Sequence, residues 1–384
     1  MANLAVIPDG SVLLRDGLIE AVGPTRRIEN MADARDAEEI DAVGRVVMPA
    51  FVDCHACLVP VPAYRDDGSP ETYRCAAARQ VQALPASRLE ARADDLLKTM
   101  ARHGTATVGA LSGYGFDATG ELKILRALRG RNMKPLDIVP LLQVMNKPSG
   151  TEEAGGNCQP LWAGEDLLRG VRRRKLAAVA QVRCGTGGAS LSAAQSFLKM
   201  AQAQGFGVRL EMLPEHDSGL VNALIDMQAI SISAAGPLRK SEIECLSFSS
   251  TFAILFPALL SREGSPDYAR QLIDDGGLIA LGSGISPETG ATASMQTVVQ
   301  LACERLGLSV AEAVSATTIN AAWALGVGKR TGSLEHGKLA DLILLNASDY
   351  REIPLLAGTN LTYSMIKRGV VVFKEDFPGW PSEA

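Results

Sequence analysis

The sequence lacks both the long apolar run of a membrane span and the basic stripe of a nucleic-acid-binding protein. No stretch approaches the roughly 18 consecutive apolar residues that a membrane helix needs. The 384 residues carry 38 Lys and Arg against 43 Asp and Glu, which gives a mildly acidic net charge of -5. We therefore expect neither a membrane nor a nucleic acid as a partner.

A secretion signal and a disulfide framework are also missing from the pattern. The first ten residues contain no basic region followed by an apolar core. The seven cysteines are odd in number and scattered, which is typical of reduced thiols in a long chain. We expect a cytoplasmic protein with one large domain and a smaller one, or two of ordinary size.

The middle of the chain alternates apolar runs with helical stretches, and both ends are rich in predicted strands. Most of the runs are continuous, as expected for parallel strands covered by helices. Predicted strands lie near residues 47–55, 104–111, 135–144, 177–184, 206–213, 229–234, 252–259 and 277–284. About eight βα units close naturally into a (β/α)8 barrel, with a doubly wound open sheet as the alternative.

No phosphate-binding glycine loop accompanies these strands. The sequence GTGGAS at 185–190 has neither the Lys of a P-loop nor the spacing of a dinucleotide fingerprint. We interpret it as an ordinary connection between a strand and a helix.

Three stretches of the chain match a known pattern, namely VVMPAFVDCHACLV at 46–59, HGTATVGALSGYGFDATGELKILRALR at 103–129, and residues 316–372. They resemble the imidazolonepropionases of the amidohydrolase superfamily, whose first-strand signature is Pro-Gly-Phe-(Ile/Val)-Asp-x-His-x-His. Residues 103–129 resemble the stretch that contains Ser-Gly-Tyr-Gly, and residues 316–372 resemble the C-terminal segment. The resemblance implies a (β/α)8 TIM-type barrel at 49–334 and a small β-sandwich domain formed by both termini, 1–48 and 335–384.

The resemblance also implies a reaction, the hydrolytic opening of the ring of 4-imidazolone-5-propanoate in histidine degradation. In that family a metal-bound water attacks a cyclic C–N bond, because coordination makes water a usable nucleophile near neutral pH. Related enzymes are commonly dimers, so a homodimer is expected by analogy.

The five metal-ligand positions of that family are mostly changed in this chain. The family uses two His on strand one, a His on strand five, a His on strand six and an Asp on strand eight. The matching residues here are His55, Cys57, Glu211, Ala234 and Gly284. We therefore expect no metal cofactor. The alternative is zinc or iron in a rebuilt site of His55, Cys57 and Glu211, since three protein ligands plus water make a catalytic zinc shell.

Cys54 and Cys57 also form a lone Cys-x-x-Cys, which suggests a redox pair or a zinc knuckle. Side chains two apart on a strand share a face. His55 and Cys57 are then expected on one face and Cys54 on the other, which argues against a pair of sulfurs.

Polar residues after the predicted strands are the candidates for the rest of the site. Their roles follow from the resemblance, in which an Arg and two Tyr hold the substrate. An Arg fork suits a carboxylate-bearing molecule. The candidates are His55, Glu215 and His216 for catalysis, and Arg65, Tyr73 and Tyr114 for substrate binding.

Three functions remain open from the sequence. The first is an imidazolonepropionase-like protein with a degenerate metal centre that binds a small cyclic or carboxylated metabolite without metal-dependent hydrolysis. The second is an active hydrolase of cyclic C–N bonds with a rebuilt metal site. The third is a structural or regulatory subunit, because fold ancestry alone does not decide function.

Overall fold

A computed structural model describes the protein at residues 3–59, 70–130, 136–146, 163–185, 187–260, 267–356 and 358–374. Within these ranges the strands are β1 (Gly10–Arg15), β2 (Leu18–Pro24), β3 (Val46–Pro49), β4 (Phe51–Ala56), β5 (Thr105–Leu111), β6 (Asp137–Val144), β7 (Val179–Cys184), β8 (Gly207–Met212), β9 (Ser231–Ala234), β10 (Phe252–Leu255), β11 (Ile279–Leu281), β12 (Leu342–Leu345), β13 (Thr362–Lys367) and β14 (Val370–Lys374).

Most of the helices lie between these strands. They are α1 (Thr25–Glu29), α2 (Pro70–Ala83), α3 (Ala86–Arg102), α4 (Ala118–Gly130), α5 (Glu165–Arg173), α6 (Leu191–Ala203), α7 (Leu220–Asp226), α8 (Lys240–Ser247), α9 (Tyr268–Asp274), α10 (Met295–Leu306), α11 (Val310–Thr317) and α12 (Ile319–Ala324). In the described part of the chain, none is both long and apolar enough to cross a membrane.

Strands β4 to β11 form one eight-stranded parallel sheet in sequence order. Each strand pairs with the next, and β5 is buried along its whole length. This is the predicted (β/α)8 barrel, and the sequence order rules out the doubly wound alternative. Continuous apolar strands form it because both faces of each strand are covered.

The barrel closes between β4 and the segment that follows β11. The Cys57 amide donates to the Ile285 carbonyl (2.7 Å), and the Ser283 amide donates to Asp53 Oδ1 (3.0 Å). Burial raises the pKa of Asp53 to about 6, although its hydrogen bonds with Ser283 and the His55 amide act to lower it. The Asp of the first-strand motif therefore fastens the first strand to the last.

The chain termini build smaller sheets beside the barrel. β1 and β2 form a hairpin, with Asp16 and Gly17 at positive φ in its turn. A four-stranded antiparallel sheet has the order β14-β13-β12-β3. The domain boundaries given above stay a prediction.

One predicted strand is divided in the structure. The stretch 47–55 is two strands, because β3 pairs with β12 and β4 enters the barrel after Ala50. A helical segment is also divided: α11 starts at its capping box on Ser309, and the helix breaks at Thr318, whose φ and ψ are -125° and -95°. Thr318 Oγ1 donates to the Val314 carbonyl (2.6 Å), a local bond that competes with the helix.

A buried ion-pair network joins the small sheet to the barrel. Lys367 Nζ, at the end of β13, lies 2.8 Å from Asp137 Oδ2 and 2.7 Å from Asp341 Oδ2. Arg368 Nη2 adds a second contact to Asp137 at 2.8 Å. The side chains of Lys367 and Asp341 are only 8% and 1% exposed, so each depends on the other to be satisfied.

The variant Lys367→Met is expected to destabilise the protein by about 3 to 5 kcal/mol, because it leaves Asp341 buried without its cation. Denaturant unfolding followed by circular dichroism measures this. The matched control is Lys98→Met, since Lys98 pairs with Asp95 at the surface and its side chain is 61% exposed. Equal stability of the two variants would contradict the network's role.

Candidate functional site

A cluster of polar side chains lies at the carboxyl ends of the barrel strands. We define the mouth cluster as Arg183 on β7, Glu211 on β8, Gln143 on β6, Tyr114 after β5 and Glu288 after β11. Catalytic residues of (β/α)8 barrels come from this end. The cluster is therefore the candidate site.

Arg183 is the centre of the mouth cluster. Its Nη1 lies 2.7 Å from Glu288 Oε1, and its Nε lies 3.4 Å from Glu211 Oε1. Tyr114 donates its hydroxyl to Glu288 Oε1 (3.0 Å), and Gln143 Nε2 donates to Glu211 Oε2 (2.6 Å). One guanidinium thus links two carboxylates, and each carboxylate also accepts a hydrogen bond from a neutral side chain.

Strand register explains why Arg183 and Glu211 meet. The parallel pairing of β7 and β8 sets Arg183 directly beside Glu211. The two side chains therefore point the same way, toward the barrel mouth. Their side chains are 13% and 9% exposed, so both charges are largely removed from water.

Burial and pairing act in opposite directions on these charges. Burial alone lowers the pKa of Arg183, but Glu211 and Glu288 hold it above its usual value. Burial raises the pKa of Glu211, and Arg183 acts against that rise. The pairing of Arg183 with Glu211 and Glu288 therefore offsets the cost of burying these charges.

The loop that carries Tyr114 is held by a buried carboxyl group on α4. The Gly113 and Gly115 amides both donate to Glu121, each at 2.7 Å. A Cβ on Gly115 would come within 2.4 Å of the backbone of Gly120 and Glu121, so the loop can approach the helix this closely only with glycine. Burial raises the pKa of Glu121 to about 7.

His55 lies on β4 beside this cluster. Its Nδ1 is 3.1 Å from Ser233 Oγ, and its ring meets Phe256 edge-on with centroids 4.7 Å apart. Burial, followed by the charges of Arg209 and Arg183, lowers the pKa of His55 well below its usual value. All of these effects oppose protonation of the ring.

The residues at the family's metal-ligand positions are engaged in other contacts or cannot hold a ligand. The carboxylate of Glu211 is committed to Arg183 and Gln143. Gly284 has φ +69°, and a Cβ there would lie 3.2 Å from Phe256 and from Leu259, so an Asp would be strained.

The remaining positions give the same result. Ala234 has no side-chain atom that can bind a metal. Among the residues that the structure describes, no three His, Cys, Asp or Glu side chains form a group able to hold a metal ion. The family's metal centre therefore does not fit the residues seen at these positions, and His55, Cys57 and Glu211 do not form such a group.

The other candidates from the sequence are dispersed. Arg65 lies outside the described residues, and Tyr73 is half-buried on α2. Glu215 is exposed at φ +58°. His216 Nε2 lies 2.7 Å from Glu242 and its Nδ1 lies 2.8 Å from the Leu213 carbonyl, so both nitrogens are engaged within the loop and α8. Their site roles stay predictions.

Sequence reasoning missed Arg183, Glu288 and Arg74. Arg183 is the charged residue of the largely buried strand β7, and that was a usable signal. Glu288 lies in a loop after β11 without a distinguishing pattern. Arg74 Nη1, on α2, approaches Glu288 Oε2 at 3.9 Å only through the tertiary fold.

The chain is similar to curated imidazolonepropionases over nearly its whole length. The protein of Symbiobacterium thermophilum is 32% identical, with 98% of this chain and 92% of the relative covered. That of Solibacter usitatus is also 32% identical, with 97% and 93% covered. The model of the amidohydrolase family matches residues 207–372.

Solved structures share the fold at low sequence identity. A 5-methylcytosine deaminase from Klebsiella pneumoniae liganded with 5-fluorocytosine has a TM-score of 0.74 at 17% identity, with 95% of this chain and 94% of that chain covered. An adenosine deaminase from Xanthomonas campestris with bound zinc has a TM-score of 0.68 at 16% identity, with 94% and 88% covered.

These comparisons overturn the expectation that no cofactor is involved. The relatives are metal-dependent enzymes, and the Xanthomonas structure carries zinc. Membership of such a family implies a metal, so the prediction of none was wrong. That prediction rested on the substituted ligand positions alone, which do not suffice to exclude a metal. The residues described at the ligand positions nevertheless do not form a group able to hold a metal ion.

The pH dependence of stability tests the role of Glu121. Its folded pKa is raised from 4.5 to about 7, so the unfolded chain releases this proton first and stability falls as pH rises through that window. Glu121→Gln does not titrate, so it removes this pH-dependent loss, on top of a pH-independent cost from losing one acceptor for the two backbone amides. Relative to wild type, the variant should gain up to about 3 kcal/mol between about pH 4 and about pH 8.

Urea unfolding at a series of pH values gives this difference. The control is Glu244→Gln, since Glu244 is exposed on α8, and its difference from wild type should stay flat. A flat difference for Glu121→Gln as well would contradict the assignment.

Proposed function

The chain belongs to the amidohydrolase family, in which its relatives are imidazolonepropionases, and we propose that its barrel mouth binds a small cyclic amide-like metabolite that carries a carboxylate. The observation that carries the proposal is the mouth cluster itself. Arg183, held between Glu211 and Glu288, places donors and acceptors side by side in a largely buried site.

The alternation of donors and acceptors suits a cyclic amide. Such a ring presents an N–H next to a C=O, and a buried site must supply an acceptor for the N–H and a donor for the C=O. Glu211 and Glu288 only accept when ionised, Arg183 only donates, and the Tyr114 hydroxyl does either. Glu211 and Glu288 are already paired with Arg183, so the ring region of the ligand is expected to be uncharged.

Arg74 is the candidate for the ligand's carboxylate. Its Nη1 lies 3.9 Å from Glu288 Oε2, which is beyond hydrogen-bond distance. Its buried Nε has no hydrogen-bond partner in the part of the chain that the structure describes. A guanidinium fork matches a carboxylate, and this Nε is one of the donors that such a fork uses.

Hydrolysis of a ring C–N bond is the second candidate function. The observation that favours it is 32% identity to imidazolonepropionases over 98% of this chain. No hydrolytic step is derived through a metal, because the residues described at the family's ligand positions do not fit one. In this candidate, the mouth cluster binds and orients the ring.

Isothermal titration calorimetry tests the binding proposal. The probes are 4-imidazolone-5-propanoate and hydantoin-5-propanoate, a ring analogue that carries carbonyl groups and the same acid. We expect saturable binding of at least one probe. Arg74→Gln should weaken it roughly ten- to hundredfold, the value of a charged hydrogen bond.

The matched control is Arg79→Gln, because Arg79 is exposed on the same helix, and its affinity should equal that of wild type. Failure of both probes to bind would sink the proposal and favour a structural or regulatory subunit. Wild-type affinity in Arg74→Gln would reject the assigned carboxylate site.

The loss of imidazolone absorbance reports the second candidate directly. The purified chain is incubated with 4-imidazolone-5-propanoate, with and without added zinc or iron. Ring opening that tracks protein concentration supports hydrolysis. Binding without any ring opening in all three conditions removes the second candidate and leaves the first.

A further inference from the structure

The carboxyl group of Glu121, on α4, contacts the backbone on both sides of Tyr114. Its Oε2 accepts a hydrogen bond from the Gly113 amide and its Oε1 accepts one from the Gly115 amide, each at 2.7 Å. Glu121 is completely buried, and Tyr114 is only 2% exposed. One side chain therefore fixes the amides of the two residues that flank Tyr114.

Glu121 is a costly residue to bury at this position. Burial raises its pKa to about 7, and the groups that act to lower the pKa are hydrogen-bond donors of residues 112–116, with the Ser112 side chain first. A buried carboxyl group is destabilising unless its hydrogen bonds compensate. Here those hydrogen bonds all come from the loop that carries Tyr114, so the effect of Glu121 is on that loop.

A carboxylate is the side-chain group that can accept from both flanking amides. It has two acceptor oxygens, whereas the amide group of Gln has one oxygen and an NH2 that only donates. In Glu121→Gln, one of the two backbone amides would therefore face a donor and lose its acceptor. Close packing adds to this requirement, because a Cβ on Gly115 would lie 2.4 Å from the backbone of Gly120 and Glu121.

The hydroxyl end of Tyr114 lies in the mouth cluster. It donates to Glu288 Oε1 at 3.0 Å, and the same oxygen accepts from Arg183 Nη1 at 2.7 Å. The ring of Tyr114 meets Phe116 edge-on, with centroids 6.2 Å apart. A displacement of the backbone at residue 114 therefore moves the hydroxyl relative to Glu288.

We infer that Glu121 is a positioning residue that holds the Tyr114 hydroxyl in the barrel mouth, although its own carboxyl group lies behind the loop. The affinity of the mouth for a cyclic amide then depends on a side chain of α4 that does not touch the ligand. This dependence rests on the proposed function. The placement of Tyr114 by Glu121 does not, because it exists without a ligand.

The contact is tested first in the wild-type chain, without any variant. Tyr114-Gly115 is the only Tyr-Gly pair in the sequence. Carbonyl carbon-13 in tyrosine combined with nitrogen-15 in glycine therefore identifies the Gly115 amide in a triple-resonance spectrum of the full chain. We expect a downfield amide proton that exchanges slowly with deuterium oxide, because it donates to a carboxylate. A random-coil shift with rapid exchange would overturn the inference.

The placement of Tyr114 is read from fluorine spectra of the chain labelled with 3-fluorotyrosine. The chain has six tyrosines, and the Tyr114 signal is the one that disappears in Tyr114→Phe. Glu121→Gln should shift or split this signal and leave the other five unchanged. The matched control is Glu244→Gln, an exposed position on α8, which should change none of the six. An unchanged Tyr114 signal in Glu121→Gln would also overturn the inference.

Titration with hydantoin-5-propanoate tests the consequence for the ligand. We expect Glu121→Gln and Tyr114→Phe each to weaken binding about tenfold. The double variant should bind about as weakly as the weaker single variant, because both changes disturb the same hydroxyl contact. Glu244→Gln should bind like wild type.

Two results would reject the dependence of affinity on Glu121. One is wild-type affinity in Glu121→Gln, and the other is a loss of roughly a hundredfold in the double variant, since the two residues would then act independently. Absence of binding in the wild type rejects the ligand part together with the proposed function. In that case the ligand-free spectra still decide whether Glu121 holds Tyr114.

Discussion

The pairing of Arg183 with Glu211 and Glu288 is the interaction on which the barrel mouth depends. Buried charges are tolerated only when they are paired and hydrogen-bonded, and losing one partner leaves the other stranded. Here one guanidinium satisfies two carboxylates from different strand ends. Tyr114 and Gln143 are neutral side chains that each donate a hydrogen bond to one of those carboxylates.

Below the mouth, a second arginine supplies hydrogen-bond donors inside the barrel. Arg209 donates to Ser233, and Ser233 contacts His55. The family to which the chain belongs implies a metal, yet Glu211 at one ligand position is committed to Arg183 and Gln143, and His55 Nδ1 at another contacts the Ser233 hydroxyl. Family membership therefore implies a metal, whereas the ligand chemistry proposed for this protein is based on the local geometry of the mouth cluster.

The sequence was informative about the fold because strands covered on both faces leave continuous apolar runs. It did not reveal the break at Ala50, since β3 and β4 differ only in which sheet they join. In the site, Tyr114 was found through its glycine-rich motif. Arg183 and Glu288 were not, because 105 positions separate them and only the closed barrel brings their side chains together.

A double-mutant cycle between Arg183 and Glu288 tests the central claim most directly. Unfolding free energies would be measured for wild type, Arg183→Met, Glu288→Gln and the double variant. Dependence of the mouth on this pair predicts a coupling energy above about 1 kcal/mol, with the double variant less damaged than the sum of the single ones. Additivity within about 0.5 kcal/mol would contradict it.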